Sequence, residues 1–258
     1  MKSILTLALI VSALGLAVQP ALSQGNSLTE MLRSSDDSFF KFDNNGTYQV
    51  LSDANKNFPR NPEVLWRLCR VETHIADQMP ISTDAQKDEQ LGVYQAALSY
   101  GDSAVAADPK NSNAYTFRAA ANGKIALFKG VFGVAPVVKQ VREDCERAIS
   151  LDPNNAVAYY IMGRTHAKLA EKPTIFRWPL GLAWGNLDEA IRFYQKAISL
   201  DPNFVMFRFD LAKAFVRDED YQKARDQLYA IPSIPKRDQE DDSLKAEGQK
   251  LLQEIKNK

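Results

Sequence analysis

The sequence is poor in the residues that carry most enzyme chemistry. Its 258 residues include only two histidines, His74 and His166, and two cysteines, Cys69 and Cys145. It lacks a glycine-rich phosphate loop, the cysteine and histidine spacing of zinc sites, and a nucleophile elbow. Its carboxylates fall at helix starts and on surface positions, where capping or solvation accounts for them. We therefore predict a protein that is not an enzyme and that uses no cofactor or metal.

The sequence also lacks net charge. Its 32 Lys and Arg residues are balanced by 32 Asp and Glu residues, so the total charge predicts no nucleic-acid partner. The two cysteines could pair in an oxidising compartment. Both nevertheless fall on apolar positions of different predicted helices, where a free thiol behaves as a small hydrophobic group. We expect Cys69 and Cys145 to be buried and unpaired.

Long apolar runs are missing except at the N-terminus. Lys2 precedes an apolar run from Ile4 to Val18, and small residues follow as far as Ser23. The run is shorter than the roughly 20 residues that a membrane-spanning helix needs. Residues 1–23 are therefore predicted to be a secretory signal peptide. We expect cleavage near Ser23 and export of the mature protein to the periplasm or the cell exterior.

What the chain does contain is a helical repeat. Ala190, Tyr194, Ala197 and Pro202 occupy the small, aromatic, small and proline positions of a second tetratricopeptide (TPR) helix, whose repeat is about 34 residues long. Small side chains let a neighbouring helix approach closely, and proline ends the helix. Further copies of the spacing are Val141, Cys145, Ala148 and Pro153; Ala97, Gly101, Ala104 and Pro109; and, less regularly, Ala224, Leu228 and Ile231. The predicted fold is all-α, a TPR-like antiparallel helix-hairpin superhelix (α-solenoid).

The repeats divide the mature chain. Residues 24–60 form an N-terminal helical hairpin, and residues 61–240 hold the TPR-like repeats. The repeats are placed at about 61–109, 110–153, 154–202 and 203–234. Residues 241–258 form a C-terminal capping helix, because a solenoid needs a polar helix over its last hydrophobic face. The first three hairpins are enlarged relative to the motif, in which about 16 residues separate the anchor of the first helix from the small residue of the second.

Two of the enlargements are too apolar for solvated loops. The second enlargement lies around residues 125–138 and the third around residues 175–184. They either pack on each other as an accessory core, or line a pocket or a contact surface. The candidate residues for such a surface are Phe128, Phe132, Phe176, Trp178 and Trp184.

The concave face of the superhelix is the predicted binding site. Five positions of each first helix line this open groove, and the twenty positions hold six Lys or Arg residues and no Asp or Glu. Such a groove suits a carboxylate or phosphate, since hydrogen bonds from charged donors are the stronger kind. The alternative is a basic face that is simply solvated. The candidate binding residues are Arg67, Lys124, Tyr160, Arg164, Lys168, Lys213 and Arg217.

Two functions fit this groove. The leading hypothesis is a scaffold that captures an acidic peptide or chain terminus of a partner protein. The second is a carrier for an anionic lipid, in which the apolar enlargements hold the acyl chains. Its head group would then meet Arg164, Lys168, Lys213 and Arg217.

A family resemblance rests on several segments. They are Asn61-Pro62-Glu63 before Leu65-Trp66-Arg67-Leu68, Met162-Gly163 with the later Trp178 segment, Ser199 to Phe204, and the terminal helix. Together with the enlarged hairpins, these segments resemble the regulator of microtubule dynamics family over about residues 61–255. The resemblance implies a TPR-like, non-enzymatic protein. It also implies tubulin as a partner, and in some members an association with mitochondrial membranes and phospholipid handling.

Overall fold

The computed structural model describes residues 21–258, except for the side chains of residues 21–26 and 131–132. Residues 1–20 of the predicted signal peptide and the side chain of Phe132 therefore lie outside the described part. Within the described part there are twelve α-helices and no strand, which confirms the all-α prediction. No helix of residues 21–258 is both long and apolar enough to cross a membrane. The helices are α1 (Ala21–Phe40), α2 (Asn44–Asn57), α3 (Pro62–Asp77), α4 (Asp84–Ala107), α5 (Ser112–Ala126), α6 (Val131–Leu151), α7 (Ala156–Ala170), α8 (Thr174–Arg177), α9 (Leu187–Leu200), α10 (Val205–Arg217), α11 (Tyr221–Ala230) and α12 (Asp241–Glu254).

The helices pack as hairpins that stack along the chain. The pairs are α3 with α4, α5 with α6, α7 with α9, and α10 with α11, and each pair contacts the next. Helices α3, α5, α7 and α10 also contact one another in sequence, so they form the inner wall. The repeated alanines Ala97, Ala148 and Ala190 are completely buried, as close helix packing requires. The predicted helix-hairpin superhelix is confirmed.

Asparagines begin most of the first helices. The side chain of Asn61 accepts hydrogen bonds from the backbone amides of Glu63 and Val64, which caps α3. Asn111 and Asn155 cap α5 and α7 in the same way. The amide group of Asn155 also donates to the Thr116 hydroxyl at 2.9 Å. The caps therefore fix the helix starts and tie neighbouring repeats together.

The enlargements have two different structures. The first two lengthen second helices, so that α4 has 24 residues and α6 has 21. The third folds into the single turn α8 and a 3-10 turn at Trp178–Leu180. Ala135 and Val138 of α6 pack against Leu182, so the second and third enlargements meet in a small accessory core. The predicted accessory core is therefore present, while Phe176 and Trp178 are exposed to solvent, and the predicted contact surface stays a prediction.

The two thiols are part of the packed interior. Cys69 and Cys145 are buried and unpaired, as predicted. Burial raises the pKa of both thiols well above the ordinary range. Since the thiolate is the reactive form, neither cysteine is poised for redox or nucleophilic chemistry.

The carboxyl group of Glu72 on α3 is buried. Among the described residues it forms no ion pair, and one of its oxygens has no hydrogen-bond partner. Burial raises its pKa from 4.5 to about 7. Between these values the folded protein holds the proton more tightly than the unfolded chain, so stability falls as the pH rises through this window. We expect Glu72→Gln to raise the free energy of unfolding by about 1–3 kcal/mol at pH 8. Urea unfolding at pH 8 and at pH 4 measures the effect, which should be small at pH 4.

The exposed Glu143 of α6 provides the control for this substitution. Glu143→Gln should leave the free energy of unfolding within about 0.5 kcal/mol at both pH values. A Glu72→Gln protein with the stability of the wild type at pH 8 would show that this carboxylate is well solvated or partnered.

Candidate functional site

The inner wall encloses a cavity of about 710 Å³. Helices α3, α5, α7 and α10 supply its wall, α1 contributes Phe39 and Phe40, and residues 237–240 contribute from the loop before α12. The sequence predicted an open groove at this place. The structure instead shows a groove that two parts of the chain, the end of α1 and residues 237–240, partly cover.

The cover is held by contacts between the beginning and the end of the described chain. We call residues 235–240 the C-terminal strap. Gln239 Nε2 donates to the Phe42 carbonyl oxygen at 2.5 Å, and Asn44 Nδ2 donates to Gln239 Oε1 at 3.4 Å. The Lys236 ammonium lies 5.1 Å from the centre of the Phe42 ring. The strap is therefore fastened to the turn between α1 and α2.

The strap also has a local fold of its own. Asp241 Oδ2 accepts hydrogen bonds from the backbone amides of Arg237 and Asp238, at 2.7 and 3.0 Å. The Arg237 guanidinium pairs with Asp201 at 2.8 Å, which ties the strap to the turn before α10. These contacts place Asp238 3.9 Å from His74 Nδ1 on α3. Burial lowers the pKa of His74, so its imidazole is neutral at pH 7.

The cavity lining is largely apolar and carries both signs of charge. Its charged and titratable members are Arg70, His74, Asp77, Lys124, Arg164, Lys168, Asp201, Arg237, Asp238 and Glu240. Its apolar members are Phe39, Phe40, Phe117, Ala119, Ala120, Ala126, Leu127, Val134, Val138, Val141, Val157, Ile161, Leu169, Phe204, Met206 and Phe207. Such a lining suits a ligand with an apolar body and a polar group.

One charged cluster is built around Asp77. Asp77 Oδ1 accepts hydrogen bonds from Lys124 Nζ and from the Tyr94 hydroxyl, each at 2.5 Å. Glu240 of the strap lies close enough for the charges of Lys124 and Asp77 to act on it. Burial raises the pKa of Glu240, so this carboxyl ionises less readily than a solvated glutamate.

A second cluster is built around Asp210 of α10. The Tyr160 hydroxyl donates to Asp210 at 2.7 Å, and Arg164 Nε and Lys213 Nζ lie 3.7 and 3.4 Å from its oxygens. Burial raises the pKa of Tyr160, so its hydroxyl stays protonated and acts as a donor. The 3.7 Å separation leaves the Arg164 guanidinium less tightly held than Lys124.

The structure separates the predicted binding residues into two groups. Lys124, Tyr160, Arg164 and Lys168 line the cavity. Arg67, Lys213 and Arg217 do not line it.

The three residues that do not line the cavity each have an ion-pair or hydrogen-bond partner elsewhere. Arg67 pairs with Asp36 and Glu63 at 2.8 and 2.7 Å. Arg217 donates to the Ala167 carbonyl oxygen at 3.0 Å. The groove is thus less positive than a count of its lysines and arginines suggests, because carboxylates from neighbouring positions and from α1 oppose most of them.

Four of the predicted apolar candidates, Phe128, Phe176, Trp178 and Trp184, do not line the cavity. Phe128 packs against Tyr94, with ring centres 5.9 Å apart. Trp184 packs edge-on against His166 at 4.9 Å. The part of the second enlargement that does reach the cavity consists of Leu127, Val134 and Val138.

Sequence reasoning missed Arg70 of α3, which lines the cavity and is mostly buried. Its guanidinium lies 3.8 Å from the centre of the Phe39 ring and donates to Asp36 Oδ1 at 2.9 Å. Burial lowers its pKa to about 10, so it remains charged at pH 7. Both partners belong to α1, whose register could not be read from the sequence, so no local signal identified this residue.

A smaller hollow lies beside His166, away from the main cavity. Its volume is about 440 Å³, and Arg142, Trp184 and Phe193 are among its lining residues. His166 Nδ1 accepts a hydrogen bond from the Asn186 amide at 3.4 Å. Burial lowers the pKa of His166, so its ring is neutral at pH 7. The imidazole is a buried packing residue.

Solved structures share the architecture. A thermophilic TPR protein from Thermus thermophilus superposes with a TM-score of 0.67 at 18% identity, over 88% of this chain and 99% of the other. Pseudomonas aeruginosa pilF superposes with a TM-score of 0.55 at 10% identity, over 90% and 93% of the two chains. At these identities the likeness establishes the TPR-like fold.

Sequence comparison identifies relatives over most of the chain. Regulator of microtubule dynamics protein 1 from Bos taurus is 24% identical over 90% of this chain and 73% of its own length. The Mus musculus protein of the same name is 25% identical over 86% and 73%. The family model for regulator of microtubule dynamics protein 1–3 matches residues 31–256. With its stacked hairpins, enlarged repeats and terminal helix all inside that match, the chain belongs to the regulator of microtubule dynamics protein 1–3 family.

Proposed function

We propose that the protein is a non-enzymatic binding protein that holds an anionic amphipathic ligand, such as a lipid with an acyl chain and an acidic head group, inside the partly covered cavity. The observation that carries this proposal is the partial cover that the C-terminal strap and α1 form over the inner wall. A covered cavity of about 710 Å³ lies within the usual size range of small-molecule sites. A segment of a folded partner protein needs an open groove instead.

The lining supports the division of the ligand into two parts. An acyl chain would contact the apolar side chains of Leu127, at the C-terminal end of α5, and of Val134 and Val138 on α6. An acidic head group would meet Arg164, whose distance of 3.7 Å from Asp210 leaves its donors available. Charge-assisted hydrogen bonds from a guanidinium suit a carboxylate or phosphate.

Lipid extraction followed by mass spectrometry tests this proposal. Native mass spectrometry of the purified protein should show one bound molecule per chain, and the organic extract should contain an acidic lipid or fatty acid. If the purified protein carries no bound lipid, it should still bind a fluorescent fatty acid at micromolar concentration. A clean extract together with no uptake would overturn the proposal.

A second candidate is an acidic segment of a partner protein on the exposed basic residues Lys168, Lys213 and Arg217. The observation that favours it is that Arg217 bonds a carbonyl oxygen and forms no ion pair with a described residue. The side chains of Lys168 and Lys213 are 58% and 55% exposed, so their pairs with Glu171 and Asp210 are weak.

Binding of a glutamate-rich peptide tests the second candidate. The double variant Lys213→Glu and Arg217→Glu should abolish binding, while Lys250→Glu with Lys256→Glu, at exposed positions near the C-terminus, should leave it unchanged. Equal loss in both variants would indicate a general effect of charge, and the candidate would fail.

The names of the relatives connect the family with microtubule dynamics. We propose tubulin as a partner to be tested, on the strength of this family membership alone. Co-sedimentation with polymerised tubulin is the direct measurement, and the Lys213→Glu and Arg217→Glu variant shows whether the same basic residues are used. Recovery of the wild type only in the supernatant would remove tubulin from the list of partners.

A further inference from the structure

Three large apolar side chains project from the third enlargement. Ile175, Phe176 and Trp178 are 75%, 69% and 74% exposed. They lie within one turn of chain, on α8 and the start of the following 3-10 turn. We call these three residues the aromatic knuckle.

The aromatic knuckle is held in place by a buried arginine. Arg177 lies between Phe176 and Trp178 but points inward and is only 7% exposed. Its guanidinium donates to the carbonyl oxygens of Lys172, Leu182 and Gly185 at 2.8 to 2.9 Å. A segment with this many buried hydrogen bonds has a defined shape. Exposure of the knuckle is therefore a property of the fold, and exposed apolar groups of this size mark interaction sites.

The surroundings of the knuckle are basic although the protein is neutral. Residues 127–139 and 168–184, which form the two apolar enlargements and the end of α7, contain Lys129, Lys139, Lys168 and Lys172, all exposed. Glu171 is the only acidic residue in these two ranges. Lys139 Nζ lies 3.1 Å from the position that a Cβ on Gly181 would take, which puts its charge next to the knuckle.

We propose that the aromatic knuckle docks the protein on an anionic membrane surface. Ile175, Phe176 and Trp178 would enter the interfacial layer of the bilayer, where tryptophan is favoured because its ring is both apolar and polar. The flanking lysines would contact acidic head groups, as clusters of basic residues do at charged membranes. This inference does not depend on what the cavity binds.

The shape and charge of the site favour a membrane over a protein partner. A stable protein interface buries about 800 Å² on each side, usually over a broad patch with charges of both signs. The aromatic knuckle is a short segment with three exposed apolar side chains, and the ammonium groups of Lys139 and Lys172 lie near it in the fold and in the sequence, respectively. A fluid bilayer accepts such a projection without a complementary pocket.

Vesicle flotation tests the inference. The probes are vesicles of phosphatidylcholine alone and vesicles with about 30 mole per cent phosphatidylglycerol. We expect the wild type to bind the anionic vesicles, and the variant Ile175→Ser, Phe176→Ser, Trp178→Ser to bind them at least tenfold more weakly. The matched control is Ile81→Ser with Tyr229→Ser, which removes two other exposed apolar side chains and should bind like the wild type.

Brominated lipids in the same vesicles add a spectroscopic measurement. Tryptophan emission of the wild type should be quenched, and Trp178→Phe should lose most of the quenching, since Trp66 is buried in the core and Trp184 is half-buried against His166. Circular dichroism shows whether each variant is folded.

Three outcomes would overturn the inference. The first is equal vesicle binding by the wild type and the triple serine variant. The second is equal binding of the wild type to neutral and anionic vesicles, which would remove the role of the lysines. The third is a wild-type dimer in analytical ultracentrifugation that the serine variant abolishes while neither protein binds vesicles, which would assign the knuckle to a second copy of the chain.

Discussion

Gly123→Leu is expected to weaken binding of a fluorescent fatty acid about tenfold or more, because it fills the space that the ligand needs. Gly123 lies on α5 and lines the cavity. No heavy atom lies within 4 Å of the position that its Cβ would take, so a larger side chain enters the cavity without displacing the helix. Titration of the protein into the labelled fatty acid measures the change in the dissociation constant.

Gly92→Leu is the matched control for this substitution. Gly92 lies inside α4, is exposed, and likewise has no heavy atom within 4 Å of its Cβ position. Both substitutions replace a helical glycine, so both should raise the stability by about 0.5–1 kcal/mol. Only Gly123→Leu should weaken binding. Equal affinity of the two variants would place the ligand outside the cavity and contradict the proposed function.

Asp144→Ala is expected to lower the free energy of unfolding by about 3 kcal/mol, because it leaves a mostly buried guanidinium without its main partner. The Asp144 side chain is 2% exposed and accepts from Arg118 Nε and Nη2 at 2.9 and 2.6 Å. The pair joins α5 to α6, and a third hydrogen bond comes from Gln140 at 3.0 Å. Asp102 remains as an exposed partner of Arg118, which limits the loss. Denaturant unfolding gives the value.

Two further variants distinguish the cost of leaving a buried charge unpaired from the cost of altered packing. Asp84→Ala removes an exposed carboxylate from its pair with Lys87. It should lower the free energy of unfolding by less than about 0.5 kcal/mol. The double variant Arg118→Met, Asp144→Leu removes both charges together. It should recover most of the stability lost in Asp144→Ala, since apolar replacements of buried pairs are often neutral. A double variant as unstable as the single one would show that the loss comes from altered packing.

The helical architecture was predictable because repeat packing depends on local residue size. Ala97, Ala148 and Ala190 appear at fixed distances from aromatic or apolar partners, and all three are completely buried in the structure. The prolines at the repeat ends marked where the second helices stop. These signals lie within one or two turns of chain, so a single sequence contains them.

The site was less predictable because its charge balance comes from other parts of the chain. Lys124, Arg164 and Lys168 were placed on the inner wall by counting positions along the first helices, and they do line the cavity. Their counter-charges, among them Asp77 and Asp210, occupy positions of those helices that the count left out. A count of inner positions alone therefore overstated the positive charge.

The cover of the cavity had no sequence signal at all. The strap and the turn at Phe42 are separated by 197 residues at their main hydrogen bond, which Gln239 donates. Neither segment shows a periodic pattern that marks it as a partner of the other. Similarly, the apolar enlargements looked alike in composition, and only the packing of Leu182 and the inward Arg177 distinguish the buried part from the aromatic knuckle.

Because the strap is bonded to the turn between α1 and α2, the number of hairpins between these two segments is fixed. In an ordinary solenoid each unit contacts only its neighbours, so units can be added or lost during evolution and the ends fray independently. Here Gln239 and Asn44 join the last unit to the first. One more hairpin would move the strap away from the turn that it contacts. Loss of the contact at either end of the chain also frees the other end. We therefore expect the two ends of the chain to unfold together, with a cooperativity that a linear array of the same hairpins lacks.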